Sequence, residues 1–286
     1  MERELQPMRR HWRRSRRTGA TLLFAVVSAL AIPGLAPNVA GAVTVHRDEL
    51  IPLYDNANPV DWQTACSQSN GSHGGSYIIA DPFQGNGPGP GRVQSWSNVI
   101  RNCYRYGRAS VIGYVWTNYG SGGTASIPAI EQQIKEWYSY YPGEIAGIFF
   151  DGVSDTVPAT TTSNKAFYQT LASYVHTHES NTDEVVFNFG ANPGSGWMLS
   201  GSGAKNADLV VTFEGSYNDA GYNPYTAWRQ ASWEWAYPAN DFAALIYDAP
   251  DATACSSLSL QHLGYVYVGT WYDTLPPFWN QFMSTC

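Results

Sequence analysis

The chain has 286 residues, 16 of them Lys or Arg and 23 Asp or Glu, for a net charge of −7, and 14% are aromatic. Residues 1–42 hold seven arginines and two glutamates, which leaves nine basic and 21 acidic residues beyond them and a net charge of −12. So acidic a surface repels phosphate backbones and anionic lipid, and disfavours nucleic acid or a membrane surface as partner.

The N-terminal segment carries its own signal. Arg9, Arg10, Arg13, Arg14, Arg16 and Arg17 form a basic head, an apolar run extends from Ala20 to about Ala36, and Ala40-Gly41-Ala42 has the small residues that signal peptidase selects. Pro33 interrupts the run, which is shorter than the roughly 20 residues of a spanning helix. Residues 1–42 are therefore expected to be a cleaved signal peptide rather than a membrane anchor. Ser15-Arg16-Arg17 also permits twin-arginine export. A secreted mature protein over 43–286 is expected, without membrane contact after cleavage and as a monomer.

Four cysteines follow the leader: Cys66, Cys103, Cys255 and Cys286. An even number in an exported chain points to two disulfides, for which three pairings exist. Cys66–Cys103 and Cys255–Cys286 are favoured, because each closes a local loop and the second ties down the C-terminus. The histidines are scattered, with His176 and His178 expected in solvent at a helix end, so neither a metal site nor a cofactor is expected.

In chain order, short apolar runs recur: "IPLY" (51–54), "SYIIADP" (76–82), "VIGYVWT" (111–117), "IAGIFFD" (145–151), "EVVFNFG" (184–190), "ADLVVTFE" (207–214), "FAALIYD" (242–248) and "GYVYVGT" (264–270). They are rich in β-branched and aromatic residues and mostly lack the polar alternation of a half-exposed sheet, so they read as buried parallel strands. "DPFQGNGPGPGRVQSW" (81–96) reads as a long loop leading into a helix. Ser126 and Pro128 open another helix, with Ile130, Ile134 and Trp137 on one face and Pro142-Gly143 behind it. Further helices are expected over about Asn164–His176 and Thr253–His262. Eight strands alternating with helices predict a single-domain α/β fold, a (β/α)8 TIM barrel. A doubly wound sheet would carry a glycine-rich loop after its first strand, where this chain has "YDNANP".

In such a barrel the C-terminal strand ends build the active site. Here they present Tyr54-Asp55, Asp81, Thr117-Asn118-Tyr119, Asp151, Asn188, Glu214, Tyr247-Asp248 and Thr270-Trp271. Asp151 and Glu214 end the fourth and sixth strands, and residues on alternate strands share a layer. Two carboxylates over one pocket suit glycoside hydrolysis, in which one protonates the leaving oxygen and the other acts as nucleophile or base. An Asp at this place also caps helices, but Glu is a poor N-cap. Strict alternation puts Phe149, Gly147 and Ile145 on the face of Asp151, and Thr212 and Val210 on that of Glu214. Trp116, Tyr119, Tyr217, Trp228, Trp271 and Tyr272 are placed to line a sugar groove. Asp81, Asn188, Asn192 and Asp248 are candidates to bind hydroxyls.

Together "IPLY", "VIGYVWTNYG", "IKEWYSYYPGEIAGIFFD", "FNFGANPG" and "VVTFE", spread over roughly Ile51 to Trp271, resemble the spherulin-4-like glycoside hydrolases. The resemblance implies a (β/α)8 barrel that cleaves α-1,4-linked N-acetylgalactosamine polymers internally, with a galactosamine-containing polysaccharide as partner. It places the family's acids on Asp151 and Glu214, with Glu214 as general acid/base and Asp151 as nucleophile or stabiliser, or the reverse. Where those enzymes read "FFDE", this chain has Gly152 after Asp151. A glycan-binding barrel without catalysis is the alternative that this glycine raises.

Overall fold

The computed structural model describes residues 47–70, 75–120, 125–153, 161–180, 182–199, 205–219, 224–258 and 261–286, with only the backbone described at 161–164. The leader expected over 1–42 lies outside them. Eight strands, β1 (Asp48–Pro52), β2 (Ser76–Ala80), β3 (Ala109–Trp116), β4 (Gly147–Asp151), β5 (Glu184–Asn188), β6 (Leu209–Ser216), β7 (Phe242–Tyr247) and β8 (Tyr265–Val268), pair in parallel and in sequence order. β1 also pairs with β8, closing the barrel, so the fold is the expected (β/α)8 TIM barrel.

The strands are apolar on both faces because both are covered. In β4, Ile148, Phe149 and Phe150 are fully buried. Phe149 packs inside against Tyr114 of β3, with ring centroids 5.9 Å apart. Phe150 and Phe187 meet outside it, where Tyr168 of α4 (Thr161–His178) covers Phe187. On β3, Gly113 leaves room for Trp137 of α3 (Ile127–Tyr140), whose indole N–H donates to the Tyr114 carbonyl at 3.0 Å. Ile130, Ile134 and Trp137 form the buried face of α3, as their spacing predicts.

Three departures from the sequence reading have local causes. β1 starts at Asp48 instead of Ile51 because its acids are satisfied indoors: Glu49 accepts from the Ser76 hydroxyl and from the backbone and side-chain amides of Asn70. No α-helix lies between β5 and β7 among the described residues. Short 3₁₀ turns at Ser195–Trp197, Tyr225–Ala227, Ser232–Ala236 and Ala239–Asp241 stand there, in sequence broken by Pro193, Pro224 and Pro238. The helix expected over Thr253–His262 contracts to Ala254–Leu258, here α5.

A fourth departure bears on the site. Val211 pairs with Ala243, but Phe213 pairs with Ala244, so Thr212 is an extra residue in β6, a β-bulge. One added residue exchanges the two faces of a strand beyond it. Glu214 therefore shares its face with Val211, and Val211 is the partner of Asn188 on β5. The expectation that Thr212 and Val210 share the face of Glu214 is corrected: the Thr212 hydroxyl turns to the buried carboxylate of Glu234 at 3.2 Å.

Both favoured disulfides are present. Cys66–Cys103 joins α1 (Pro59–Gln68) to α2 (Gln94–Tyr106), and Cys255–Cys286 fastens α5 to the residue after α6 (Trp279–Thr285). Closing loops of this length is worth up to about 4 kcal/mol each through the unfolded chain. The pair fits an oxidising compartment. No helix among the described residues is long and apolar enough to cross a membrane. His178 is exposed as expected, whereas His176 is half-buried, its Nε2 3.0 Å from Asp208 Oδ2.

Candidate active site

The barrel delivers Asp151, Asn188 and Glu214 to one point from three consecutive strands. The Asn188 side-chain amide donates to Asp151 Oδ1 at 2.7 Å and to Glu214 Oε2 at 2.5 Å. Because one nitrogen binds both, these two oxygens are no more than about 5 Å apart. The Asn188 carbonyl oxygen accepts from the Gly190 N–H at 3.0 Å, which leaves the NH₂ group facing the acids. Tyr114 donates to Asp151 Oδ2 at 2.5 Å. Tyr54, just past β1, sets its ring edge-on to Tyr114 and to Tyr272, and Tyr272 lies beside Glu214.

Burial pushes both carboxyls up from their ordinary values, and three donors oppose this at Asp151: Tyr114, the Gly152 N–H and Asn188. Glu214 is raised to about 7, first by burial and then by the charge of Asp151. Asp151 thus ionises first and Glu214 holds its proton towards neutrality. Burial among these acids also keeps Tyr54, Tyr114 and Tyr272 un-ionised.

Gly152 adopts φ of +63°, a left-handed conformation. A Cβ there would lie 2.5 Å from the Trp116 ring. Its carbonyl accepts from the Thr117 hydroxyl, the Tyr119 N–H and the Tyr168 hydroxyl. The place of a second acid is thus taken by an indole, and Trp116 in turn meets Tyr119 edge-on with centroids 5.3 Å apart. Trp116 is the register partner of Asp151 on the neighbouring strand.

The remaining candidates divide. Asp81 is buried at the end of β2, and both its oxygens accept from Gly85 N–H at 2.9 and 2.8 Å, which turns it into its own loop. Burial raises it to about 7. Asp248 is exposed with φ of +55° and accepts from Ser216 at 3.3 Å. Trp271 is 54% exposed, with its ring edge on Tyr247 and its N–H on Asp273. Tyr217 stacks on Tyr225. These three follow the C-terminal ends of β7, β8 and β6 in turn. Trp228 is not a groove residue: it is buried against Phe213 on the outside of the barrel. Asn192 accepts from the Gly194 N–H and the Trp233 indole, and so serves a turn.

Tyr54 was placed at the rim by the sequence as the end of the first strand, whereas Tyr114 was not singled out. Tyr114 carried a usable signal, since it lies two residues before Trp116 and so on the same strand face.

A family model for spherulation-specific family 4 matches residues 49–286. Aspergillus clavatus Sph3, solved in complex with GalNAc, superposes with a TM-score of 0.65 at 20% identity over 85% of this chain and 98% of that one. A family GH18 chitinase from Chromobacterium violaceum reaches a TM-score of 0.38 at 12% identity, over 82% and 77% of the two chains. No curated protein matches the sequence. With a barrel matched from its first strand to its last residue, the chain belongs to spherulation-specific family 4.

Proposed function

We propose that the protein is a secreted glycoside hydrolase that cleaves α-1,4-linked N-acetylgalactosamine or galactosamine polysaccharide with Asp151 and Glu214. The observation that carries this reading is the single Asn188 amide holding both carboxylates. Glu214, still protonated near neutrality, donates to the leaving oxygen, while ionised Asp151 stabilises or attacks the developing oxocarbenium centre. With Asp151 Oδ1 and Glu214 Oε2 no more than about 5 Å apart, the pair is closer than the spacing that admits a water, which favours retention of anomeric configuration. Trp116, Tyr119 and Trp271 offer ring faces to sugar, and exposed Asp248 adds an acceptor suited to hydroxyls and free amines. The GalNAc held by Sph3 supports an aminosugar ligand, and the two disulfides support export.

Purified protein should release reducing ends from α-1,4-linked galactosaminoglycan, and Glu214→Gln should lower kcat by about 10²–10⁴-fold. Wild-type turnover in that variant would refute the assignment. Gly152 favours a second reading, a barrel that binds glycan without cleaving it; saturable binding with no reducing ends after long incubation would select it.

A further inference from the structure

Asn188 is 2% exposed, and its polar atoms are spent inside the protein: one N–H on each carboxylate, the carbonyl on Gly190. An amide so committed has little left to offer a sugar hydroxyl. Its two bonds instead tie the carboxylates to each other, and Tyr114 adds a bond to Asp151 alone. The pair is therefore held unsymmetrically, with more donors on Asp151 than on Glu214.

We propose that Asn188 and Tyr114 are positioning residues: the Asn188 amide sets the spacing of Asp151 and Glu214, and Tyr114 directs the negative charge to Asp151. This rests on the hydrolase reading for its consequence in catalysis, but its structural content stands apart from that reading. None of the other side chains facing the pair favours charge on Asp151 over Glu214. Tyr54 beyond β1 is neutral and faces both acids, and Tyr272 beyond β8 is neutral and turns its hydroxyl towards Glu214, which favours charge there, without completing a hydrogen bond. Asp81 at the end of β2 is an acid whose charge opposes ionisation of Asp151. The direction of the charge is thus left to Tyr114, and the backbone supports it through the Gly152 N–H.

The test is a pH titration of the side-chain carboxyl carbons in the whole protein by ¹³C NMR, with Asp151 and Glu214 assigned through D151N and E214Q. Tyr114→Phe removes a single oxygen and should raise the Asp151 midpoint by about one pH unit or more, with Glu214 moving less. Asn188→Ala should raise both midpoints. On galactosaminoglycan, Asn188→Ala should lower kcat about 10²-fold with KM within about twofold, and Tyr114→Phe should carry the acidic limb of kcat/KM upward with the Asp151 midpoint. Unmoved midpoints in folded Tyr114→Phe overturn the proposal, as does a KM increase at preserved kcat in Asn188→Ala, which marks a substrate ligand. If Asn188→Ala does not fold, Tyr114→Phe decides. A wild-type protein that releases no reducing ends defeats the hydrolase reading alone, because the titrations report on the network without turnover.

Discussion

Gly152 lies beneath the Trp116 indole with a positive φ, and both facts forbid a side chain. Gly152→Ala is expected to cost about 2–4 kcal/mol, from backbone strain together with the clash. Adding Trp116→Ala should remove the clash but not the strain, so Gly152→Ala should cost less in that background than in the wild type. Denaturant unfolding of the four proteins in the cycle checks this, and strictly additive losses would show that the ring does not press on the glycine. The same contact explains how the chain departs from "FFDE": an acid here needs Trp116 elsewhere. Residue identity alone could not show this, because Trp116 arrives from the neighbouring strand.

At the scale of elements, β3 and α3 interlock through one missing side chain. A Cβ on Gly113 would lie 2.5 Å from Trp137, which is fully buried. Gly113→Ala should therefore destabilise by about 1–3 kcal/mol and lower Tm by several degrees, measured by thermal unfolding. An unchanged Tm would mean that α3 slides freely on the barrel. The periodicity of α3 was legible because Ile130, Ile134 and Trp137 repeat on a helix face. The seat of Trp137 on Gly113 was not, since a glycine in an apolar run is equally consistent with a bend. The β6 bulge was hidden for a related reason: "ADLVVTFE" contains no glycine to mark it, and the extra residue is visible only against the partner strand.

For the whole molecule, Glu214, Asp81 and Glu184 are each held near pH 7, with burial as the main cause. The unfolded chain ionises these groups at about pH 4. Between about pH 4 and 7 the folded state binds more protons, so stability falls as pH rises through that window. Tm should be higher at pH 5 than at pH 7.5, and Glu214→Gln should raise Tm at pH 7.5 more than at pH 5. Thermal melts at both pH values check this, and a Tm that rises towards neutrality would contradict the burial of these acids. Activity should also decline above about pH 7, where Glu214 gives up its proton.

The sequence by itself determined the eight strands, the barrel and the placing of Asp151 and Glu214 at one rim, and it favoured the disulfide pairing that the structure shows. Those features are written locally: apolar runs of strand length, acids at their ends, cysteines a short loop apart. Only the tertiary structure decided that Glu214 turns inward, that Asn188 binds both acids, that Tyr114 and Tyr54 join them, and that an indole fills the place beside Gly152. Each of these depends on register and on side chains meeting from different strands. A barrel brings such residues within bonding distance only after it closes.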